Sequence, residues 1–306
     1  MSERSDSSKA PILVTGAHRS GTTWVGRMLA LAPGVAYVHE PFNPRFSAGA
    51  FDRYFTVVTH ENETRYAPEL ERALSFRYEL LTRLQRRHAP KDVARAVRSY
   101  ARAQRPRWTG ARPLMKDPIA LLSAEWLAQR FDMDVLVLIR HPAAFASSLK
   151  RLGWRHSFAT FIDDGRVPEV IRPYEDEIRA QARDPGDILA QAALLWRLLY
   201  NAVAGYRESH PQWAYLRHED ASLDPVATFE RLYTQLGLEL TGSAGAEIAR
   251  SSAPGNPAEL AAPHDVELDS AASLGRWREQ LTGDEIETLR ERTSDVWPRF
   301  YAETDW

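Results

Sequence analysis

The 306-residue chain contains no cysteine. This absence excludes disulfide bonds and thiolate metal ligands, and it fits a reducing compartment. A large charge of one sign is also missing: the formal net charge is −2 at pH 7, which argues against a broad nucleic-acid-binding surface. Long hydrophobic runs are missing too, since the longest, residues 135–139, is far shorter than a membrane span. We therefore expect a cytoplasmic protein that binds no nucleic acid and has no transmembrane segment.

The rest of the composition is typical of a globular protein. Hydrophobic residues make up 44% of the chain, which is enough for a sizeable core. Residues 1–10 are polar, lack the apolar centre of a signal peptide, and are predicted to form a disordered lead. Because no repeat or clear linker divides residues 11–306, we expect a single domain. Its oligomeric state cannot be predicted.

Short apolar runs alternate with helical patterns along the chain. Strands are predicted at residues 12–15, 35–39, 113–116, 135–139 and 213–217. Helices are predicted at residues 21–31, 121–129, 142–152, 188–206, 225–236 and 285–292. This alternation predicts an α/β fold with a mainly parallel sheet between layers of helices.

Three segments interrupt this pattern. Residues 45–112 are rich in arginine, glutamate and aromatics, and helical periodicity near residues 70–84 and 93–103 predicts a helical insertion. Residues 153–186 have few periodic apolar positions and are interpreted as a cap. Residues 251–273, rich in alanine, proline and serine, are predicted to form a long loop.

A glycine-rich turn follows the first strand. Gly16 and Gly21 have the spacing of the phosphate loop G-x-x-x-x-G-K-[ST], but Thr22 stands where that loop has its lysine. Backbone amides and the positive end of the next helix still favour a phosphate, whereas the apparatus for a magnesium triphosphate is incomplete. Arg19 supplies a cation instead. A structural glycine turn is the simpler alternative.

The run from Arg19 to Trp24 resembles the 5'-phosphosulfate loop of sulfotransferases, which use 3'-phosphoadenosine 5'-phosphosulfate (PAPS) and need no metal. The resemblance implies a P-loop-like three-layer α/β fold, sulfuryl transfer to an acceptor hydroxyl, and adenosine 3',5'-bisphosphate as the product. Trp24 matches an adenine-contacting aromatic residue of the cytosolic branch, or it packs in the core. Donor binding by this segment is thereby assigned to His18, Arg19, Ser20, Gly21, Thr22, Thr23 and Trp24.

A second motif follows the strand at residues 135–139. Arg140 stands where a nucleotide triphosphatase usually has a magnesium-binding aspartate, so this position favours an anion. Arg140 and Ser148 resemble the 3'-phosphate-binding segment of sulfotransferases. A guanidinium offers forked donors that suit a phosphate dianion, and a hydroxyl adds a neutral donor. The alternative is a surface arginine followed by a solvent-facing serine.

Two candidate catalytic residues come from other strand ends. Lys116 is one of only four lysines in the chain, and Lys116-Asp117-Pro118 resembles the Lys-Asp-Pro of Golgi-type and tyrosylprotein sulfotransferases. That resemblance implies that Lys116 faces the bridging oxygen of the leaving group, although a surface Lys–Asp pair is the alternative. Pro118 occupies the place of the catalytic histidine of the cytosolic branch. His39-Glu40-Pro41-Phe42 resembles the glutamate segment of the Golgi-type and tyrosylprotein branch. That resemblance implies that Glu40 is the base, with His39 in reserve and a structural ion pair as the alternative.

Two shorter matches complete the donor site. His218 stands in the place of the tyrosine of the family's Tyr-Glu-Asp segment, and Gly275-Arg276-Trp277 resembles the Gly-x-Trp loop that closes over the 3'-phosphate. The aromatics and arginines of residues 45–112 and 153–186 would suit an acceptor hydroxyl on a carbohydrate, a glycolipid or another small molecule, but they would equally suit a folded helical lid. A phosphate-loop kinase or triphosphatase, or a nucleotide-binding module without turnover, remains the alternative.

Overall fold

The computed structural model describes residues 10–77, 105–163, 165–257 and 267–306. The polar lead at residues 1–9 and the helix predicted at residues 93–103 therefore lie outside the described residues. In the described part, the structure consists of a central sheet with helices on both sides.

The sheet of the described residues has five strands, and all of its pairs are parallel. Their order across the sheet is β2-β3-β1-β4-β5. β1 and nearly all of β4 are buried, as expected of inner strands covered on both faces. The strands are β1 (Ile12–Gly16), β2 (Val35–His39), β3 (Arg112–Lys116), β4 (Asp134–Ile139) and β5 (Ala214–Arg217).

Alternate residues of the inner strands enter two separate apolar clusters. Leu13 of β1 and Val137 of β4 belong to one cluster, whereas Val14 and Leu136 belong to the other. Because successive side chains of a strand point to opposite faces, the clusters lie on the two faces of the sheet. The structure thus has three layers, and the predicted α/β fold with a mainly parallel sheet between layers of helices is confirmed.

Eleven α-helices lie wholly within the described residues, and residues 105–108 are also helical. They are α1 (Thr22–Leu29), α2 (Glu63–Leu74), α3 (Ala124–Phe131), α4 (Pro142–Leu152), α5 (Glu175–Arg183), α6 (Ile188–Ser209), α7 (His218–Leu223), α8 (Pro225–Gln235), α9 (Gly242–Ser251), α10 (Trp277–Gln280) and α11 (Gly283–Arg292). Short 3₁₀ turns lie at Pro118–Ser123, Phe158–Phe161, Glu169–Tyr174, Trp297–Arg299 and Glu303–Asp305.

Three helical predictions need correction. Of the helix predicted near residues 70–84, the described part is the end of α2, which stops at Leu74, and residues 78–84 lie outside the described residues. The one predicted at residues 121–129 begins as a 3₁₀ turn at Pro118 and continues as α3. α5 was missed within the segment interpreted as a cap because it buries only Ile178, so its apolar periodicity is weak.

Helix α6 is long and apolar enough, by length and composition, to cross a membrane. However, 67% of its most apolar window is buried inside the protein, and Trp196 and Tyr200 are fully buried. Its composition is therefore explained by its place in the core, against α4 and α11.

Candidate active site

The candidate residues lie at the carboxyl edge of the sheet. Glu40 follows β2, Lys116 ends β3, the glycine-rich loop follows β1, Arg140 follows β4 and His218 follows β5. Because the strand order is β2-β3-β1-β4-β5, Glu40 and Lys116 lie on one side of the loop, and Arg140 and His218 lie on the other. Ligands of open α/β sheets bind at this edge.

The loop needs its glycines. Gly16 and Gly21 have φ values of 143° and 89°, which side-chain-bearing residues rarely adopt. A Cβ on Gly21 would lie 2.6 Å from the Nδ1 atom of His218, and one on Gly16 would lie 2.5 Å from the carbonyl oxygen of Leu138. Helix α1 then begins at Thr22 with no side-chain cap and no acidic residue in its first turn. The positive end of α1 is therefore suited to an anionic ligand.

A cavity of about 150 Å³ lies on the Arg140 side of this loop. It is lined by residues from four motifs that are far apart in the sequence. The predicted residues among them are Arg19, Gly21, Thr22, Thr23, Trp24, Arg140, Ser148, His218, Arg276 and Trp277.

Other lining residues were missed by the sequence analysis. Arg151 lies three positions after Ser148 in α4, so it shares a helix face with Ser148, and that spacing could have revealed it. With Arg151, four arginines line the cavity, which suits a ligand with several negative charges. The other missed polar residues carry no sequence motif; they are Ser147, Ser222, Ser251, Ser270, Ser273 and Gln280.

Hydrogen bonds join the loop to the segment after β4. An Nη1 hydrogen of Arg140 is donated to the carbonyl oxygen of Arg19. Arg19 in turn donates from Nε to the hydroxyl of Ser148 over 3.1 Å, and its guanidinium lies 5.8 Å from the ring centre of Trp154. The two segments predicted to bind phosphates are therefore one hydrogen-bonded unit.

The Arg140 side chain is half-buried, and its guanidinium lies near the Glu219 carboxylate. Burial lowers the pKa of its guanidinium, and the nearby Glu219 carboxylate opposes that shift. Within the described structure, the buried Nε of Arg140 has no hydrogen-bond partner. Since buried polar groups are normally paired, an anion in the cavity would satisfy this donor.

Glu40 and Lys116 form a buried ion pair beside the loop. The side chain of Lys116 is only 1% exposed, and the Asn43 amide donates to the second oxygen of Glu40 over 2.7 Å. Burial alone would raise the pKa of the Glu40 carboxyl, but Lys116 and Asn43 hold it below its ordinary value. Glu40 is thus a carboxylate held by a buried cation, and neither Glu40 nor Lys116 is part of the cavity lining.

Asp117 holds the Glu40 segment in place. Its carboxylate accepts hydrogen bonds from the backbone N–H of Phe42 over 2.7 Å and of Ile119 over 3.0 Å. The backbone N–H of Glu40 is donated to the carbonyl of Lys116 over 3.0 Å. Glu40 itself has a left-handed φ of 44°, so these contacts stabilise a strained turn at the end of β2.

Three predicted donor-binding residues do not line the cavity. The His18 ring lies among aromatic side chains, 5.2 Å from Phe145 and 5.7 Å from Phe55. The Ser20 hydroxyl is donated to the carbonyl of Ala17, and Gly275 is not part of the lining. Any contact of these three with the donor would therefore come from the backbone or need a rearrangement. His39, the reserve base, packs its ring 4.9 Å from Phe46.

Buried histidines make the folded protein sensitive to acid. Burial is the main cause that lowers the pKa of four histidines, to about 3 for His18, His141 and His218 and about 4 for His156. Below their ordinary pKa of about 6.5, they gain protons on unfolding, so the free energy of unfolding falls as the pH decreases. Burial raises the pKa of Asp117 to about 7 and also raises that of Glu219. These carboxyls release protons on unfolding, so they make the free energy of unfolding rise as the pH decreases.

We therefore expect the free energy of unfolding to fall by at least about 2.7 kcal/mol per unit decrease in pH near pH 5, because four histidines take up protons on unfolding and at most two carboxyls release them. Urea denaturation between pH 7.5 and pH 4.5, followed by tryptophan fluorescence, measures this slope. His156 packs against Phe55, Phe158 and Phe161, so His156→Phe keeps an aromatic ring there and removes one titrating group. The slope should then fall by about 1.4 kcal/mol per pH unit, which corresponds to one proton. A stability independent of pH over this range would contradict the prediction.

Comparisons with known proteins were made for the whole chain. The profile of a family described as the sulfotransferase family matches residues 11–242. No curated protein matches the sequence.

Several solved structures are similar to this one. Sulfotransferase STF1 from Mycobacterium tuberculosis H37Rv is 18% identical, with 94% of this chain and 77% of that chain covered and a TM-score of 0.45. A sulfotransferase domain from the curacin biosynthetic pathway is 13% identical, with coverages of 94% and 98% and a TM-score of 0.49. Mouse sulfotransferase SULT7A1, complexed with PAP, is 12% identical, with coverages of 97% and 87% and a TM-score of 0.45.

Proposed function

The chain belongs to the sulfotransferase family, and on that premise we propose that it transfers a sulfuryl group from PAPS to an acceptor hydroxyl. One observation carries the choice of donor: Arg140 and Ser148 share a cavity with the glycine-rich loop. PAPS has phosphates at both the 3' and 5' positions, so a donor site needs two anion-binding places near each other. Arg140 supplies the second anion-binding place, because its buried Nε–H has no hydrogen-bond acceptor among the described residues.

The lining residues divide into three parts in this proposal. The backbone amides at the start of α1 bind the 5'-phosphosulfate, where the helix end favours negative charge. Arg140 and Ser148 bind the 3'-phosphate, with Arg151 and Arg276 adding positive charge. Trp24 packs against the adenine; its indole N–H is already donated to the Ser251 hydroxyl over 3.1 Å, which fixes the orientation of the ring. His218 borders the same region, with its ring 6.4 Å from Trp24.

The donor supplies an activated sulfuryl group, and the side chains on the other side of the loop assist its transfer. Glu40 accepts the proton of the acceptor hydroxyl while the bond from the acceptor oxygen to sulfur forms. The bond from sulfur to the bridging oxygen breaks, and that oxygen keeps the electron pair as adenosine 3',5'-bisphosphate leaves. Lys116 stabilises the charge on the bridging oxygen, and Arg19 stabilises the sulfuryl oxygens.

The Lys116–Glu40 ion pair links these two roles. While Lys116 binds Glu40, the lowered pKa makes the carboxylate a weak base. A bridging oxygen with developing negative charge competes for the ammonium, and the pKa of Glu40 rises as Lys116 turns away from it. The base therefore becomes stronger when the leaving group is in place.

A carbohydrate or glycoconjugate is the acceptor that we propose. The support is an exposed aromatic side chain beside Arg19: Trp154 is 43% exposed, its ring centre lies 5.8 Å from the Arg19 guanidinium, and it stacks 6.3 Å from the His18 ring. Sugars stack well on such faces, and a nearby arginine suits an anionic glycan. The assay below also tests other small molecules that carry a hydroxyl as acceptors.

Transfer should persist in excess EDTA. Arg19 and Thr22 stand in place of the lysine and magnesium apparatus, and the described residues contain no group of three or more histidines or carboxylates placed to hold a metal ion. Transfer of radiolabelled sulfate from PAPS to a panel of glycans, lipids and phenols measures the activity with EDTA and with added magnesium. Equal rates are expected, whereas activity that requires a divalent metal would contradict the mechanism.

A further inference from the structure

Four aromatic side chains, which we call the aromatic clasp, pack together behind the cavity: His141, Trp277, Tyr301 and Trp306. The His141 ring stacks on Trp277 at 5.0 Å with an interplanar angle of 16°. The rings of Trp306 and Tyr301 meet His141 edge to face, at 4.5 Å and 4.9 Å. Trp306 also lies 6.4 Å from Trp277, so it contacts both stacked rings.

The clasp connects two segments that carry cavity arginines. His141 directly follows Arg140, and Trp277 directly follows Arg276. Arg140, Arg276 and Trp277 line the cavity, whereas Trp306 does not. Any effect of Trp306 on a ligand in the cavity must therefore pass through the residues that it holds.

The clasp is fastened on both sides by polar contacts. Arg278 lies 4.2 Å from the Trp277 ring centre and donates hydrogen bonds of 3.0 Å to the carbonyl oxygens of Asp305 and Trp306. On the other side, the Tyr301 hydroxyl is donated to Glu219 over 2.9 Å, and Glu219 also accepts the backbone N–H of His141 over 3.0 Å. The segment at residues 301–306 is thus tied to both arginine-bearing segments.

Hydrogen bonding of the indole N–H does not explain why Trp306 lies in the clasp. In the described part of the chain, both the Nε1 atom of Trp306 and the Nε2 atom of His141 are buried without hydrogen-bond partners. Burying such atoms costs stability, so the benefit of Trp306 must come from the packing of its rings. The shape of the side chain, rather than its N–H, is what the clasp uses.

We propose that Trp306 is a positioning residue for the 3'-phosphate site, an inference that rests on the proposed function. By packing against His141 and Trp277, Trp306 fixes the backbone on which Arg140 and Arg276 project into the cavity. Its removal frees both arginines at once. Ligands that carry a 3'-phosphate then bind more weakly, whereas binding at the 5' site, which lies at the start of α1, is unchanged.

The experiment is calorimetric titration of adenosine 3',5'-bisphosphate and AMP against Trp306→Ala. We expect the Kd of the bisphosphate to rise about tenfold, the size expected when one charge-assisted hydrogen bond is weakened, and that of AMP to change by less than about twofold. Trp306→Phe keeps a ring and removes the buried N–H, so it should retain the wild-type ratio of the two Kd values. Trp108→Ala removes an indole that is 71% exposed, and as a matched control it should change neither Kd.

The ratio of the two Kd values separates positioning from damage to the fold. Partial unfolding reduces the binding of both ligands equally, because it lowers the folded fraction that each requires. If Trp306→Ala does not fold, Trp306→Leu keeps apolar volume without a ring and should show the same fall in the ratio. An unchanged ratio in the folded variant would overturn the inference. A wild-type protein that does not prefer the bisphosphate over AMP would instead overturn the proposed function beneath it.

Discussion

Replacing Glu40 with glutamine should lower kcat by a factor on the order of 10² to 10⁴, the usual contribution of general-base catalysis. Glutamine has nearly the same shape and can still accept a hydrogen bond from Lys116, but it cannot take up the proton of the acceptor hydroxyl. Because Glu40 lies on the opposite side of the loop from Arg140, the Kd of adenosine 3',5'-bisphosphate should change by less than about twofold. Steady-state transfer of radiolabelled sulfate and calorimetry measure the two quantities.

His39→Gln is the matched comparison for this variant. His39 is the residue next to Glu40 and the reserve candidate for the base, and its ring packs against Phe46. We expect its replacement to change kcat far less than that of Glu40. Unchanged turnover in Glu40→Gln, with a large loss in His39→Gln, would transfer the role of the base to His39.

Replacing Arg140 with alanine should weaken the binding of adenosine 3',5'-bisphosphate by about 10- to 150-fold, since a hydrogen bond to a charged group contributes roughly 1.5–3 kcal/mol. AMP lacks the 3'-phosphate and should bind almost as before. Ser148→Ala should have the same selective effect, but smaller, by about 0.5–1.5 kcal/mol, because a neutral hydroxyl is a weaker donor. Titration of both ligands against each variant measures these differences.

AMP also reports on damage to the loop in this experiment. Arg140 donates to the carbonyl of Arg19, so its removal could disturb the 5' site as well. Arg155→Ala, which removes an exposed arginine outside the cavity lining, is the control and should leave both affinities unchanged. An equal loss for AMP and the bisphosphate in Arg140→Ala would mean that Arg140 supports the loop rather than the 3'-phosphate.

The strands were predictable because each is a short apolar run that the sheet buries. β2 has the bounds predicted from the sequence, and β4 begins one residue earlier than predicted, at Asp134. The order of the strands was not predictable, because it depends on which strands pair across long stretches of chain. That order places Glu40 and Lys116 on one side of the loop and Arg140 on the other.

Sequence motifs identified most of the cavity but not the direction of every side chain. His18 was grouped with its neighbours in the loop, yet its ring packs against Phe145 and is not part of the cavity lining. Arg151 was missed although its spacing from Ser148 places both on one helix face. Trp306 carries no motif at all, since its contact with His141 joins residues far apart in the chain. Tertiary packing alone reveals such residues.

The central claim is that the cavity binds a nucleotide with phosphates at the 3' and 5' positions and does so without a metal. Calorimetric titration of the wild-type protein with adenosine 3',5'-bisphosphate in EDTA, compared with ATP in excess magnesium, tests it most directly, because it needs no knowledge of the acceptor. We expect saturable one-to-one binding of the bisphosphate and a much weaker response to ATP with magnesium. Tighter binding of ATP with magnesium would contradict the claim and favour a phosphate-loop kinase or triphosphatase.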